Sequence, residues 1–251
     1  MDYSALTQSQ WLLAILAAFI VGFSKAGFGG VGMLSVILLA AAMPGHEMES
    51  TGTLLPMLIA ADLFAASAFR REVDWRLLFN LLPPAVLGVV LGTIWMHQIS
   101  DLNFRPLIGG LVLALAAFHL YRKANPSFLQ SPPSAKPFAW GAGILAGITT
   151  MLANAAGPVM NLYLLAMRLN KMQLVSTAAW YFLIVNLIKV PFSAGLGLMS
   201  AESLKFNLWL LPVIIAGVFT GKRLLHAINQ RWFDRILFAL ICLSALYLLA
   251  V

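Results

Sequence analysis

The chain has 251 residues, 61% of them hydrophobic and only 10% charged, with a mean hydropathy of +0.89; that is too little polar surface for a soluble domain and marks an integral membrane protein. About eight apolar segments of some 20 residues, each able to cross a hydrocarbon core of about 30 Å, would use up such a chain and leave no room for a soluble catalytic domain. Sixteen Lys and Arg against nine Asp and Glu give a net charge of +7. The basic residues sit in short loops between apolar runs, so the excess reads as a topology signal and not as a nucleic-acid surface. A single cysteine, Cys242, excludes an internal disulfide and a cysteine-rich metal site, and no cofactor is expected. Residues 1–10 lack Lys and Arg, which argues against a cleaved signal peptide.

In chain order, apolar runs cover 11–24, 31–43, 51–69, 77–96 and 104–121. A polar stretch, 122–136, carries Pro126, Pro132 and Pro133 and is the one linker. Runs then recur at 138–152, 156–168, 172–194, 204–221 and 233–250. This predicts a first transmembrane repeat over 1–121, a cytoplasmic linker over 122–136 and a second repeat over 137–251. Self-similarity supports the division. Leu81, Leu82, Pro83, Gly88, Gly92, His97, Ile99 and Phe104 recur as Leu210, Leu211, Pro212, Gly217, Gly221, His226, Ile228 and Phe233, all at one offset of 129. Gly22 and Gly32 answer Gly147 and Gly157 at an offset of 125, which places about four inserted residues near 195–202.

Positive charge sets the orientation. Arg70, Arg71 and Arg76 flank one loop, Arg122, Lys123 and Lys136 a second, Arg168 and Lys171 a third, and Lys222, Arg223, Arg231 and Arg235 a fourth. The segments 44–50, 98–103 and 195–203 contain no Lys or Arg and read as outer loops. Each bare loop of one half aligns with a basic loop of the other, so the halves have opposite orientations. The expected fold is an all-α polytopic membrane protein of two inverted-topology repeats, each a broken or re-entrant helical hairpin followed by three transmembrane helices.

The residues able to carry chemistry lie at the two hairpin tips. The first tip contains Ser24, Lys25, Gly27, Gly29, Gly30 and Gly32; the second contains Thr149, Thr150, Asn154 and Gly157, with Asn161 just beyond. Unpaired backbone at membrane depth is tolerated only where protein buries it or where it lines a cavity. Glycine-rich or hydroxyl- and amide-rich breaks inside apolar runs therefore point to a central site. Outgoing helices beginning near Gly30 and Pro158 would aim two N-termini at the midplane, a geometry that favours an anion.

Lys25 adds a cation whose insertion costs roughly 2.5 to 3.5 kcal/mol. It could contact a substrate, snorkel, or pair with Asp62, the one carboxylate well inside a span. Lys189 is a second candidate cation, with snorkelling to the outer interface as its alternative. Ser24, Thr149, Thr150, Asn154 and Asn161 could donate to oxyanion oxygens or serve as packing contacts between helices. Trp180 and Tyr181 could wall the site. No HExxH or GxSxG motif is present, and one intramembrane carboxylate cannot form a pair, so an enzyme is not expected. A passive anion channel, or a cation- or proton-coupled carrier in which Asp62 holds the coupling ion, are the competing functions.

The run Gly27-Phe28-Gly29-Gly30-Val31-Gly32, the segment Val73-Asp74-Trp75-Arg76 and the duplicated Pro-x4-Gly-x3-Gly pattern resemble the sulfite exporter TauE/SafE family of membrane anion transporters across roughly residues 11–250. In place of a second glycine-rich tip, this chain has Ala153-Asn154-Ala155-Ala156-Gly157. The resemblance implies transport, by export, of sulfite or organosulfonates such as sulfoacetate across a bacterial inner membrane. Its implied partners are that small anion and the lipid bilayer, with a homodimer left open.

Overall fold

The computed structural model describes residues 6–44, 46–96, 117 and 136–250. Apart from residues 117 and 136, the expected run 104–121 and the linker lie outside the described residues. Nine helices and one short 3-10 turn make up the described chain, with no strand among the described residues. They are α1 (Gln8–Lys25), the turn Gly29–Val31, α2 (Gly32–Ala42), α3 (Glu47–Ala68), α4 (Trp75–Met96), α5 (Lys136–Ala153), α6 (Ala156–Ala166), α7 (Lys171–Gly195), α8 (Ala201–Ala227) and α9 (Gln230–Ala250). Five described helices are long and apolar enough to cross a membrane: α1, α3 from Glu49, α4, α7 and α8. The protein is an all-helical polytopic membrane protein.

Local chemistry explains where several helices start. Thr7 and Gln10 close α1, Asn170 and Gln173 close α7, and Ser200 and Ser203 close α8, each pair as a reciprocal capping box that satisfies orphan first-turn N–H groups. Prolines stand inside α3 (Pro56), α4 (Pro83 and Pro84), α7 (Pro191) and α8 (Pro212). Each removes one intrahelical hydrogen bond. In the turn of α3 preceding Pro56, Thr51 O accepts from Asn154 Nδ2 at 3.2 Å and Thr53 O from Asn207 Nδ2 at 3.0 Å. The residues expected as an insertion near 195–202 do not lengthen the connection, which is five residues, 196–200, against six, 69–74, between α3 and α4; the flanking helices take up the difference.

The two hairpins have unequal arms. α1 and α5 have 18 residues each, and α2 and α6 have 11 each. At 1.5 Å per residue the long arms reach about 27 Å and the short arms about 16 Å. The ingoing arm is therefore longer than the 11–24 run suggested.

Each long arm packs along a membrane-length helix, α1 on α8 and α5 on α4. The contacts are glycine crossings. A Cβ on Gly22 would lie 2.0 Å from Ile214 O, and one on Gly217 would lie 2.2 Å from Phe19 O. In the other crossing, a Cβ on Gly147 would lie 2.1 Å from Ala85 O and one on Gly88 would lie 2.2 Å from Ile144 O. Gly147 and Ile144 follow Gly22 and Phe19 by 125 residues, while Gly217 and Ile214 follow Gly88 and Ala85 by 129. Sequence-related residues thus make the same contact with their roles exchanged.

The core falls into two clusters. One joins α1, α2, α3 and α8 through residues such as Ala18, Leu39, Leu58 and Ile214. The other joins α4, α5, α6, α7 and α9 through residues such as Leu81, Ala146, Met160, Tyr181 and Leu237, and reaches α2, α3 and α8 through Met33, Ala65 and Leu225. Outward faces carry large apolar side chains, including Phe79, Leu208, Trp209 and Leu243. Faces of this kind suit lipid, and in water they would be aggregation surfaces.

Because both crossings leave no space for a side chain, overpacking there should cost about 1 to 3 kcal/mol or more. Gly217→Val and Gly88→Val are expected to lower the thermal unfolding midpoint in detergent by similar amounts. Gly141→Val, at a position where a Cβ meets nothing within 4 Å, should leave it nearly unchanged; equal effects at all three positions would count against the crossings.

Candidate functional site

Where the hairpins break, their tips meet. α1 ends at Lys25, the backbone turns through Gly27 with φ at 109°, and α2 begins at Gly32, after the turn containing Gly29 and Gly30. α5 ends at Ala153, Asn154 adopts φ of 51°, and α6 begins at Ala156 with Pro158 in its first turn. Positive φ suits Gly27, which has no Cβ, and is tolerated by Asn. A Cβ on Gly29 would lie 2.1 Å from Asn161 Nδ2, and one on Gly157 would lie 2.8 Å from Gly29 O. Backbone of the first tip therefore rests directly on the opening turns of α6.

Around this contact lies a cavity of about 40 Å³. One water needs 10 to 15 Å³ by the same kind of measure, so the space suits a solute of a few heavy atoms. Nine of the sequence-predicted residues line it: Ser24, Lys25, Gly27, Gly29, Gly32, Thr150, Asn154, Gly157 and Asn161. Of the other predicted residues, Gly30 belongs to the 3-10 turn, and Thr149 is fully buried with its hydroxyl donating to Ala146 O. Asp62 and Lys189 lie behind the wall. Trp180 and Tyr181 are absent from the lining, where their neighbour Phe182 takes a place. Trp180 instead packs on Trp75 at 5.3 Å.

Each tip is fastened to a long helix by a lysine, the first to α3 and the second to α7. Lys25 Nζ lies 2.9 Å from Asp62 Oδ1 of α3 and 4.4 Å above the Phe182 ring. Asn186 of α7 donates to the other oxygen, Asp62 Oδ2, at 2.7 Å. Lys189 of α7 donates to Thr150 O at 2.7 Å, Thr150 Oγ1 at 3.2 Å and Asn154 Oδ1 at 2.6 Å. It is 2% exposed, so the snorkelling alternative is overturned: the side chain turns inward because three acceptors at the broken end of α5 can satisfy its three N–H bonds. Asp62 meets a lysine of the first tip and is not left standing free for a coupling cation.

The arrangement divides the polar groups by task. Lys25 and Lys189 sit at the C-terminal ends of α1 and α5, where exposed carbonyls concentrate negative charge. α2 and α6 start at the tips without any side-chain cap, whereas α1, α7 and α8 start away from the cavity with their first turns closed. The 3-10 turn runs on into α2, with Val31 N–H donating to Phe28 O and Gly32 N–H to Gly29 O, and Pro158 has no N–H, so what the two starts offer an anion is chiefly their positive dipole ends. Ser24 contributes less than expected, because its hydroxyl donates to Val21 O at 2.8 Å. The side-chain amide of Asn154 is likewise engaged at both ends.

Of the lining residues not singled out as candidates from the sequence, Asn186 and Phe182 contact the Lys25–Asp62 pair directly. Asn186 carried a usable signal: it is polar within an apolar run and lies three residues before Lys189, on the same helix face. Phe182 carried none. Among the described residues, no group of three or more His, Cys, Asp or Glu could hold a metal ion.

Lys189 is expected to hold the second tip together. Lys189→Met strands Thr150 O and Asn154 Oδ1, at a cost of about 1 to 3 kcal/mol. Thermal unfolding in detergent should register that loss, and the exposed Lys205→Met should show far less; a Lys189→Met protein as stable as the parent would contradict the role.

Comparison with known proteins agrees with the architecture. Neither the curated proteins nor the solved structures compared with the chain match it. The sulfite exporter TauE/SafE family, by contrast, matches over residues 14–248, nearly the whole chain. That is a family of membrane transporters and not of enzymes. A chain helical through its described residues, with apolar outward faces and a small cavity where two helices break, matched along almost its full length, belongs to the sulfite exporter TauE/SafE family.

Proposed function

We propose that the protein carries small sulfur-containing anions, such as sulfite or an organosulfonate, outward across a bacterial inner membrane by alternating access around the cavity between the tips. The observation that carries this reading is the convergence of Lys25 and two uncapped helix N-termini, of α2 and α6, on one few-atom cavity. Helix N-termini stabilise anions through free N–H groups and their positive dipole ends. Family membership supplies the sulfur chemistry. Lys25, the glycines of the first tip, Thr150, Gly157 and Asn161 form the binding surface. Asp62 and Lys189 support it from behind.

The proposal includes inverted halves. The exchanged glycine crossings are what two related halves give when they pack about a pseudo-two-fold axis. The basic loops containing Arg70, Arg71, Arg168 and Lys171 lie on the cytoplasmic side, and the segment around 196–200, without Lys or Arg, lies outside. In that orientation each hairpin enters and leaves on one side. Rocking of one crossing unit against the other would expose the cavity alternately.

Counterflow in proteoliposomes loaded with sulfite or a small sulfonate tests the carrier. Saturable exchange is expected, and it should fall at least tenfold in the double variant Lys25→Met with Asp62→Asn, which removes the cation without stranding a buried carboxylate. Exchange that fails to saturate would indicate a channel, and unchanged exchange in the double variant would remove Lys25 from the site. For topology, in a Cys242→Ser background Ala201→Cys should react with an impermeant thiol reagent on intact cells. Glu72→Cys should react only after permeabilisation; labelling of both from one side would overturn the orientation.

A further inference from the structure

The charges around the cavity do not cancel, and the residue is informative. Among the described residues, three charged side chains stand at or directly behind the wall: Lys25, Asp62 and Lys189. Asp62 is fully buried and neutralises Lys25 at 2.9 Å. Lys189 has only uncharged partners, the carbonyl and hydroxyl of Thr150 and the amide oxygen of Asn154. The helix ends offset one another, since the N-termini of α2 and α6 bring about half a positive charge each and the C-termini of α1 and α5 about half a negative charge each. Counted with Lys189 as its ammonium and Asp62 as its carboxylate, one positive charge is left over.

From this balance we infer that the cavity takes singly charged anions and excludes doubly charged ones, and that Asp62 sets the limit by occupying Lys25 from behind. The inference rests on the anion-carrier reading above and narrows its substrate class. A single negative charge brings the site to neutrality. A second would sit uncompensated in a space of about 40 Å³ walled largely by Met33, Leu54, Leu58, Val175 and Phe182, and an unpaired charge in such surroundings is strongly disfavoured. Asp62 adds direct repulsion, because its carboxylate is held in place by Asn186 and cannot withdraw without losing that bond.

The limit is also a matter of position. Asp62 does not line the cavity, so substituting it changes the charge that the substrate meets without changing the shape of the wall. Asp62→Asn keeps the side-chain volume and leaves both lysines uncompensated. The variant's site then carries two positive charges and matches an anion of charge minus two.

Methanesulfonate and sulfate are the probes, being tetrahedral sulfur anions of similar size that differ by one charge. Each is offered as the exchanging anion in counterflow with the full-length protein. The parent should exchange methanesulfonate at least tenfold better than sulfate, and Asp62→Asn should move that ratio toward sulfate by at least tenfold. A ratio measured on one preparation is insensitive to how much of the protein is folded. If the variant does not fold, the parent's ratio still decides. Preference of the parent for sulfate, or a ratio that Asp62→Asn leaves unmoved, would overturn the inference while leaving the carrier reading intact. Exchange of neither anion nor of any other sulfur anion by folded parent protein would overturn both.

Discussion

Breaking a helix inside an apolar phase frees backbone N–H and C=O groups that lipid cannot satisfy, and the architecture follows from where those groups are covered. Each long arm is brought to its break by a glycine crossing with a helix distant in the chain, Gly22 on Gly217 and Gly147 on Gly88. Without side chains at these positions the backbones approach to contact distance, which is how membrane helices gain packing energy when lipid tails are as apolar as their own surfaces. The crossings fix the tips next to one another. Gly29 can then lie against Gly157 and Asn161, and the freed backbone becomes the lining of a cavity.

Polar side chains then settle the opened ends, and they do so unequally. The first tip brings its own cation, Lys25, and finds its counter-ion on α3. The second tip brings Thr150 and Asn154, and receives its cation from α7. Asn186 links the two systems by donating to Asp62 from the helix that also carries Lys189. Both broken C-termini thus reach the same electrostatic result, a lysine at each, with the lysine placed on different elements. The two sides of the cavity are chemically distinct.

Helix positions were largely legible in the amino-acid sequence, because hydropathy runs and turn residues are local signals. Nine of the ten expected runs correspond to helices within a few residues, and the tenth lies outside the described residues. The glycine pairs were legible as a repeat but not as partners, since nothing local to Gly22 says that it meets Gly217. The tip residues were legible because glycine, hydroxyl and amide groups are out of place in apolar runs. The orientation of Lys189 was not: its acceptors lie 35 and 39 residues away in the chain, and only the approach of α7 to the end of α5 makes an inward lysine cheaper than a snorkelling one. Phe182 and the turning away of Thr149 depend on helix rotation, which a nearly uniform apolar sequence does not record.

The glycine crossings also bear on how the chain is made. Synthesis proceeds from the N-terminus, and α1, which can pack on α2 and α3 early, finds its glycine-crossing partner only when residues 201–227 have entered the membrane. Until then the bare backbone face around Gly22 faces lipid or a temporary neighbour, and the first hairpin cannot settle. α4 and α5 are closer in order and can associate much sooner. Assembly therefore has a built-in sequence, in which the second hairpin docks while the ribosome is still at work and the first waits for α8, so that truncation anywhere before residue 201 leaves a membrane-inserted chain with one hairpin unclosed.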